Sequence, residues 1–235
     1  MPNGFLFFCE ILFYLGAVLL TYKLFGKNGL FIFTAFATIF GNISVCECMN
    51  IFGFSTTGGN VIYAANFLVT DILSEKYGKK EAQKAVAYSI TVMLLWLLGS
   101  QLLLCFTPNE SDYVSSSLTT LFGLAPRITI ASLAGFVCSQ NIDVLLYHFI
   151  WDKTGNSRRM LWLRNNGATL ISQALDTVIF TGIAFWGTYP TDVFVSILLT
   201  TYLFKAIVAL ADTPFVYAAR MVTPLCEKKA SEQGI

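Results

Sequence analysis

ITIASLAGFVCSQNIDVLLYHFIW, Ile128–Trp151, is long and apolar enough to cross a bilayer, yet it carries Gln140 and Asp143 near its middle. A helix crosses the hydrocarbon core with roughly 20 apolar residues. A second such run, Met160–Trp186, contains the same five-residue word. SQNID at Ser139–Asp143 and SQALD at Ser172–Asp176 both read Ser-Gln-x-x-Asp. An aspartate at the centre of a membrane helix costs about 2.5–3.5 kcal/mol on insertion scales. Writing that word twice in such runs asks for a partner, a proton or a ligand at each carboxyl.

Outward from this pair, the chain supplies five more apolar stretches, at about Phe5–Phe25, Leu30–Phe54, Val61–Ser74, Ala82–Phe106 and Val193–Val222. The third is short and carries Asn66 and Asp71. The joins are glycine-, proline- or charge-rich: GKNG, STTGG, KYGKK, TPNESDYVSSS, KTGNSRR and GTYPTD. The expected fold is all-α, a polytopic membrane helical bundle of about seven spans forming one transmembrane domain over residues 1–235. Composition agrees. The 235 residues are 55% hydrophobic and 12% charged, with a mean hydropathy of +0.65. A soluble domain carries about 25% charged residues. The net charge of +1 gives no sign of a nucleic-acid partner. The first run follows Met-Pro-Asn-Gly rather than a basic segment, and no A-x-A-like site closes it, so it is expected to remain as a span.

Basic residues cluster at alternate joins. Lys23 and Lys27 flank the first, Lys76, Lys79, Lys80 and Lys84 the third, and Lys153, Arg158, Arg159 and Arg164 the fifth. Arg220, Lys228 and Lys229 mark the C-terminal end. The positive-inside rule then places the N-terminus outside and the C-terminus in the cytoplasm. YVSSSLTTLFGL, within the long Thr107–Pro126 connection, reads either as an interfacial helix or as a cover over an outward opening. The six cysteines (Cys9, Cys46, Cys48, Cys105, Cys138 and Cys226) have no CxxC or metal-ligand spacing. They are expected to be small buried hydrophobes, and no metal or cofactor is expected.

Glu10, Glu47, Asp71, Asp143, Asp176 and Asp212 all fall inside apolar runs, against one base, Lys205. Ion pairing alone cannot neutralise them. In each repeated word Gln and Asp are three apart and Ser and Asp four apart, so all three share a helix face. Ser132, Gly135 and Ser139 extend that face with small residues that allow close helix approach. Lys205 and Asp212 share a face of the last run. A carboxylate can accept two parallel hydrogen bonds from a planar N–H/NH₂ edge. A carboxamide offers a donor and an acceptor to a neighbouring carbonyl and ring N–H. Phe136, Tyr147, Trp162, Phe180 and Trp186 are candidates for stacking on a flat ring. The residues therefore suit a polar, planar, optionally cationic solute.

Four segments resemble the queuosine precursor transporter family, also called the vitamin uptake transporter family: NFLVTDILSEKYGKKEA (Asn66–Ala82), RITIASLAGFVCSQNIDV (Arg127–Val144), LRNNGATLISQALDT (Leu163–Thr177) and YLFKAIVALADTP (Tyr202–Pro214). The resemblance runs from about residue 30 to residue 222. It implies a six-helix core preceded here by an additional N-terminal helix. It also implies import across a bacterial plasma membrane of a 7-deazaguanine base: queuine or its aminomethyl or cyano precursor, for queuosine salvage in tRNA. On the matching positions, Gln140, Asp143, Gln173 and Asp176 are expected to hold substrate, with Asp71 and Lys205 in gating or coupling; Asn66 is expected to complete the substrate cavity. The protein is expected not to be an enzyme, and a homodimer is compatible with a small bundle.

No Walker A sequence is present, so a secondary or facilitated carrier leads. One alternative is a binding subunit that needs a separate ATP-driven module. A remote one is an intramembrane aspartyl protease built on Asp143 and Asp176.

Overall fold

The computed structural model describes residues 2–123, 125–155, 158–187 and 190–227. Lys228 and Lys229 lie outside them, as does the side chain of Arg158. The chain runs α1 (Asn3–Phe25), α2 (Lys27–Ser44), β1 (Cys48–Ile51), β2 (Phe54–Thr57), α3 (Asn60–Tyr77), α4 (Lys79–Leu104), α5 (Ser115–Gly123), α6 (Ala125–Thr154), α7 (Leu161–Phe185) and α8 (Thr191–Met221), with a single 3₁₀ turn at Arg158–Met160. The expected runs thus become seven long helices, with one short helix between the fourth and fifth.

Five of the seven, α1, α4, α6, α7 and α8, are long and apolar enough to span a membrane on length and composition alone. The other two are α2 and α3, of 18 residues each. At 1.5 Å per residue each is about 27 Å long, close to the roughly 30 Å hydrocarbon core. Helix α3 fails on composition because it is the polar centre of the bundle. Fourteen of its residues are buried, with α1, α2, α4, α6, α7 and α8 packed around it. Neighbouring protein rather than lipid surrounds its Asn66 and Asp71, which is where intramembrane polar groups are tolerated.

Burial is arranged for lipid. Leu12, Phe13, Leu95, Leu98 and Leu102 are exposed, while Asp71, Gln140, Asp143, Gln173 and Asp212 are buried. In water an apolar surface this extensive would have to be covered; in a bilayer it is the solvated face.

Two sequence expectations need correction. The second run was expected to stay helical to Phe54, but α2 ends at Ser44 and the chain then folds into a hairpin. Ile51 stands opposite Phe54, joined by Phe52 (φ 53°) and Gly53 (φ 85°). Positive φ at both central residues is the signature of the tight type I′ turn. The Gly at Gly53 allows that turn, and Phe52 adopts the left-handed conformation at a cost of about 1–2 kcal/mol. The hairpin is tied to the start of α1 by Asn3 Nδ2 donating to the Asn50 carbonyl at 2.8 Å. The cysteines were expected to be buried; all six are free thiols, five exposed and Cys46 intermediate. Cys9 on α1 and Cys138 on α6 occupy the apolar outer surface, where a thiol substitutes for a small aliphatic group.

The ends of the bundle differ in charge. At one end Lys27 and Lys84 pair with Glu81 at 3.1 and 2.6 Å, and Lys76 donates to the carbonyls of Arg220 and Val222. At the other end lie the hairpin, α5 and the start of α6. There Arg127 donates to the carbonyls of Ile183 and Trp186. Helix α5 rests on α4, with Gln101 Nε2 donating to the Phe122 carbonyl and the Trp96 and Phe122 rings edge to face.

Candidate functional site

The polar interior has three levels, from the hairpin end to the basic end. The first is a narrow cavity of about 20 Å³ lined by Val45, Asn60, Tyr63, Ser132, Asp176, Phe180 and Lys205. Ligand pockets start at about 300 Å³, so a bicyclic base fills this one only when its walls part. Lys205 Nζ donates to Asp176 Oδ2 at 2.5 Å, and both side chains are largely buried. Ser139 donates to the other Asp176 oxygen at 3.4 Å. Gly135 brings α6 against this carboxylate: a Cβ there would lie 2.8 Å from Asp176 Oδ1 and 3.2 Å from its carbonyl oxygen. Asn60 Nδ2 donates to Thr56 Oγ1 at 2.7 Å, so the hairpin forms part of the outer wall. The hydroxyls of Tyr63 and Ser132 are buried without a well-formed hydrogen bond.

One helical turn deeper are three amides. Asn66 follows Tyr63 by three residues, Gln173 precedes Asp176 by three, and Gln140 follows Ser139, which places them beneath the cavity. Gln140 Oε1 accepts from Thr70 at 3.1 Å. Its Nε2, and both side-chain polar atoms of Asn66 and Gln173, are buried without a hydrogen-bond partner among the described residues. Leaving a buried polar group unpaired costs about 1–3 kcal/mol, so such groups call for a physical explanation.

The second level is acidic. Asp71 accepts from Thr169 at 3.2 Å, and Asp212 accepts from Asn165 Nδ2 at 2.6 Å. Asp143 faces Asp71, Thr169 and Ser172, and neither of its oxygens makes a well-formed hydrogen bond.

The third level closes the basic end. Glu75 pairs with Arg164 at 3.0 Å and with Arg220 at 3.1 Å, and accepts from the Tyr147 hydroxyl at 2.8 Å. Arg164, fully buried, also donates to the Gly155 carbonyl and lies over the Trp151 ring at 4.6 Å. Arginine's planar fork suits such a desolvated, multiply bonded position.

Of the seven residues singled out in the sequence, Asp176 and Lys205 line the cavity. Asn66, Gln140 and Gln173 lie beneath it, and Asp71 and Asp143 belong to the acidic level. The two aspartates of the repeated words are therefore not a dyad: Asp176 engages Lys205 and Ser139, while Asp143 stands against Asp71. Lys205 reaches Asp176 on α7 rather than Asp212 on its own helix. Among the aromatic candidates Phe180 lines the cavity, Tyr147 serves Glu75, and Trp162 and Trp186 are exposed. Glu10 and Glu47 line a separate cleft between α1, α2 and the hairpin. His148 stacks on Trp151.

Sequence reasoning missed Asn60, Tyr63 and Ser132 as wall residues, and the Glu75–Arg164–Arg220 closure. The hint for the latter was GluLys at the end of the third run, with Arg164 inside the sixth; counting Arg164 as an orientation marker hid it. Among the described residues no group of three or more His, Cys, Asp or Glu side chains converges to hold a metal ion.

Residues 57–219 match the family described as "Putative vitamin uptake transporter". A Bacillus subtilis protein named "Probable queuosine precursor transporter" is 43% identical, over 97% of this chain and 99% of its own length. At that coverage the match takes in α1 and the hairpin. The Escherichia coli "Queuosine precursor transporter" is 27% identical, over 69% of this chain and 71% of its own. No solved structure gives a significant match.

Proposed function

Because the chain belongs to the vitamin uptake transporter family, we propose that this multi-pass membrane transporter imports a queuosine precursor, a 7-deazaguanine base, through the Asp176–Lys205 cavity. The observation that carries the reading is the set of spare buried groups at and beneath that cavity. Tyr63, Ser132, Asn66, Gln140 and Gln173 all hold buried polar atoms without a well-formed hydrogen bond among the described residues. A guanine-like edge presents a carbonyl beside a ring N–H and an amino group. Asp176 accepts from the N–H and NH₂ groups, and Lys205 donates to the carbonyl. The amides of Asn66, Gln140 and Gln173 meet the pyrrole side, and Phe180 covers one face of the ring. Such a site rejects a base lacking one of these groups, because its own buried polar groups would then go unpaired.

The names of the relatives support the substrate class, and the donor–acceptor set complements it. The basic end faces the cytoplasm, with the N-terminus outside. Glu75, Arg164 and Arg220 close the route at that end while the cavity lies toward the hairpin.

Uptake of a labelled base tests this in cells that neither make nor import it, with this chain as the only added protein. Saturable uptake that Asp176→Asn abolishes is expected. Uptake only when an ATPase module is co-expressed would favour the binding-subunit reading, and uptake unaffected by Asp176→Asn would remove the cavity from the pathway.

A further inference from the structure

The acidic level lies outside the cavity and contains Asp143, a wholly buried carboxylate that makes no well-formed hydrogen bond among the described residues. Two hydroxyls adjoin it. Thr169 gives its proton to Asp71 Oδ2, and Ser172 gives its own to the Ala168 carbonyl at 2.8 Å. What remains in front of Asp143 is the carboxyl of Asp71, within hydrogen-bonding reach. Two ionised carboxylates meet acceptor to acceptor and repel, and they bond only when one oxygen holds a proton.

Among the described residues no cation is placed to relieve the pair. Lys205 is engaged by Asp176, and Arg164 and Arg220 by Glu75. Helix α8 adds a third acid, Asp212, whose Oδ2 is also unpartnered and whose charge acts on both Asp71 and Asp143. Helix α6 adds the Tyr147 phenol, which already donates to Glu75. The buried faces of α2 and α4 carry no titratable side chain among the described residues, and that of α1 carries Tyr14 and Tyr22. The acids do not converge as metal ligands.

We propose that Asp71 and Asp143 form a proton-binding site, and that the proton bound there is carried inward together with the base. The coupling rests on the transport reading above; the proton site itself does not. Only one O–H bond is made and broken. A carboxylate oxygen of the pair takes a proton from the outer side before the base is enclosed, and releases it to the inner side after the base leaves. Unprotonated, the pair would place two facing negative charges in a closed, low-dielectric interior beside Asp212. Loading the proton removes one of them and supplies the missing hydrogen bond, so closure around the base follows protonation. Helix α3 links the two events physically: Tyr63 in the cavity, Asp71 in the pair and Glu75 in the inner closure lie on one helix, with Asp71 about 12 Å and Glu75 about 18 Å from Tyr63 along its axis.

Two measurements on the purified full-length protein test this. The first is infrared difference spectroscopy across neutral pH, reading the carbonyl stretch of protonated carboxyl groups. A band that shifts in D₂O and is lost in Asp143→Asn is expected. The wild-type spectrum alone suffices to overturn the site if that band is absent, so a variant that failed to fold would not shield it; Asp71→Asn is the second variant. The second measurement is uptake of labelled base into proteoliposomes with an imposed proton gradient. One proton per base predicts that an inward tenfold gradient supports up to about tenfold accumulation, and that Asp143→Asn equilibrates the base without accumulating it. Uptake indifferent to the gradient in the wild type overturns the coupling. A band lost in Asp143→Asn in a protein that moves no 7-deazaguanine supports the proton site and instead contradicts the substrate assignment.

Discussion

Asp143 and Asp176 close the same five-residue word on neighbouring antiparallel helices, yet one faces an aspartate and the other a lysine. Local sequence is the same at both: Ser and Gln precede each Asp on one face. What differs is the third helix that meets each copy. Helix α8 brings Lys205 to Asp176, whereas α3 brings Asp71 to Asp143. A repeated motif thus specifies a polar stripe, while the tertiary neighbour decides whether that stripe becomes an ion pair or an acid pair.

The largest expected effect separates the two carboxylates directly. Asp176→Asn or Lys205→Met leaves an uncompensated charge in a largely buried pair, a change that costs about 3–5 kcal/mol. The combined Asp176→Leu, Lys205→Met protein should regain most of that loss without regaining uptake. Unfolding in mild detergent, with a double-mutant cycle, reads both numbers. A smaller effect is expected at Gly135. Gly135→Ala puts a methyl group against the Asp176 carboxylate and backbone, which costs about 1–3 kcal/mol as overpacking, with a matching fall in uptake. Were Gly135→Ala neutral in both assays, the close approach of α6 to α7 would not be what positions Asp176.

The contrast then predicts near-indifference at the other copy. Asp143→Asn replaces a facing carboxylate by an amide that can donate to Asp71, so stability should change by less than about 1 kcal/mol or rise. A loss as large as that at Asp176 would erase the distinction between the two words.

The smallest effect lies outside the membrane. Asp112 accepts from the backbone N–H groups of Ser115, at 2.9 Å, and Val114, at 3.4 Å. The hydrogen bonds from Ser115 hold its carboxyl below the usual carboxylate range. A lowered folded value means that this capping is fully present above the ordinary aspartate value, about 3.9, and is lost as pH falls through the lowered one. Protection of the amides at the start of α5 against hydrogen exchange, relative to their intrinsic rates at each pH, should therefore be unchanged from neutral pH down to the ordinary carboxylate range and fall below it. Asp112→Ala should show the faster exchange already at neutral pH, with uptake intact.

The bundle itself was legible because lipid imposes a length and a composition on each helix. Runs such as Phe5–Phe25 and Ala82–Phe106 became α1 and α4 with ends moved by only a few residues. The hairpin was not legible. Cys48–Phe54 is as apolar as a helix continuation, and only the Phe52–Gly53 turn reverses it. The polar positions were recognisable one at a time, since each acid is expensive in an apolar run. Their partners were not, because Lys205–Asp176, Asp71–Asp143 and Glu75–Arg164–Arg220 join helices far apart in the chain. Asn60 and Tyr63 escaped notice, and Ser132 was read only as a small packing residue, for a related reason: an Asn, a Tyr or a Ser in a helix is ordinary until the fold turns it into a cavity wall.

The most direct test of the central claim is equilibrium binding to the purified protein, read by thermal stabilisation, with queuine, its aminomethyl and cyano precursors and guanine side by side. A ligand at 100 times its Kd should stabilise the folded state by about 2.7 kcal/mol. Selective stabilisation by a 7-deazaguanine, retained in Asp112→Ala and lost in Asp176→Asn, is the expected result. No stabilisation by any of the four bases, or equal stabilisation of Asp176→Asn, would contradict binding at the Asp176–Lys205 cavity.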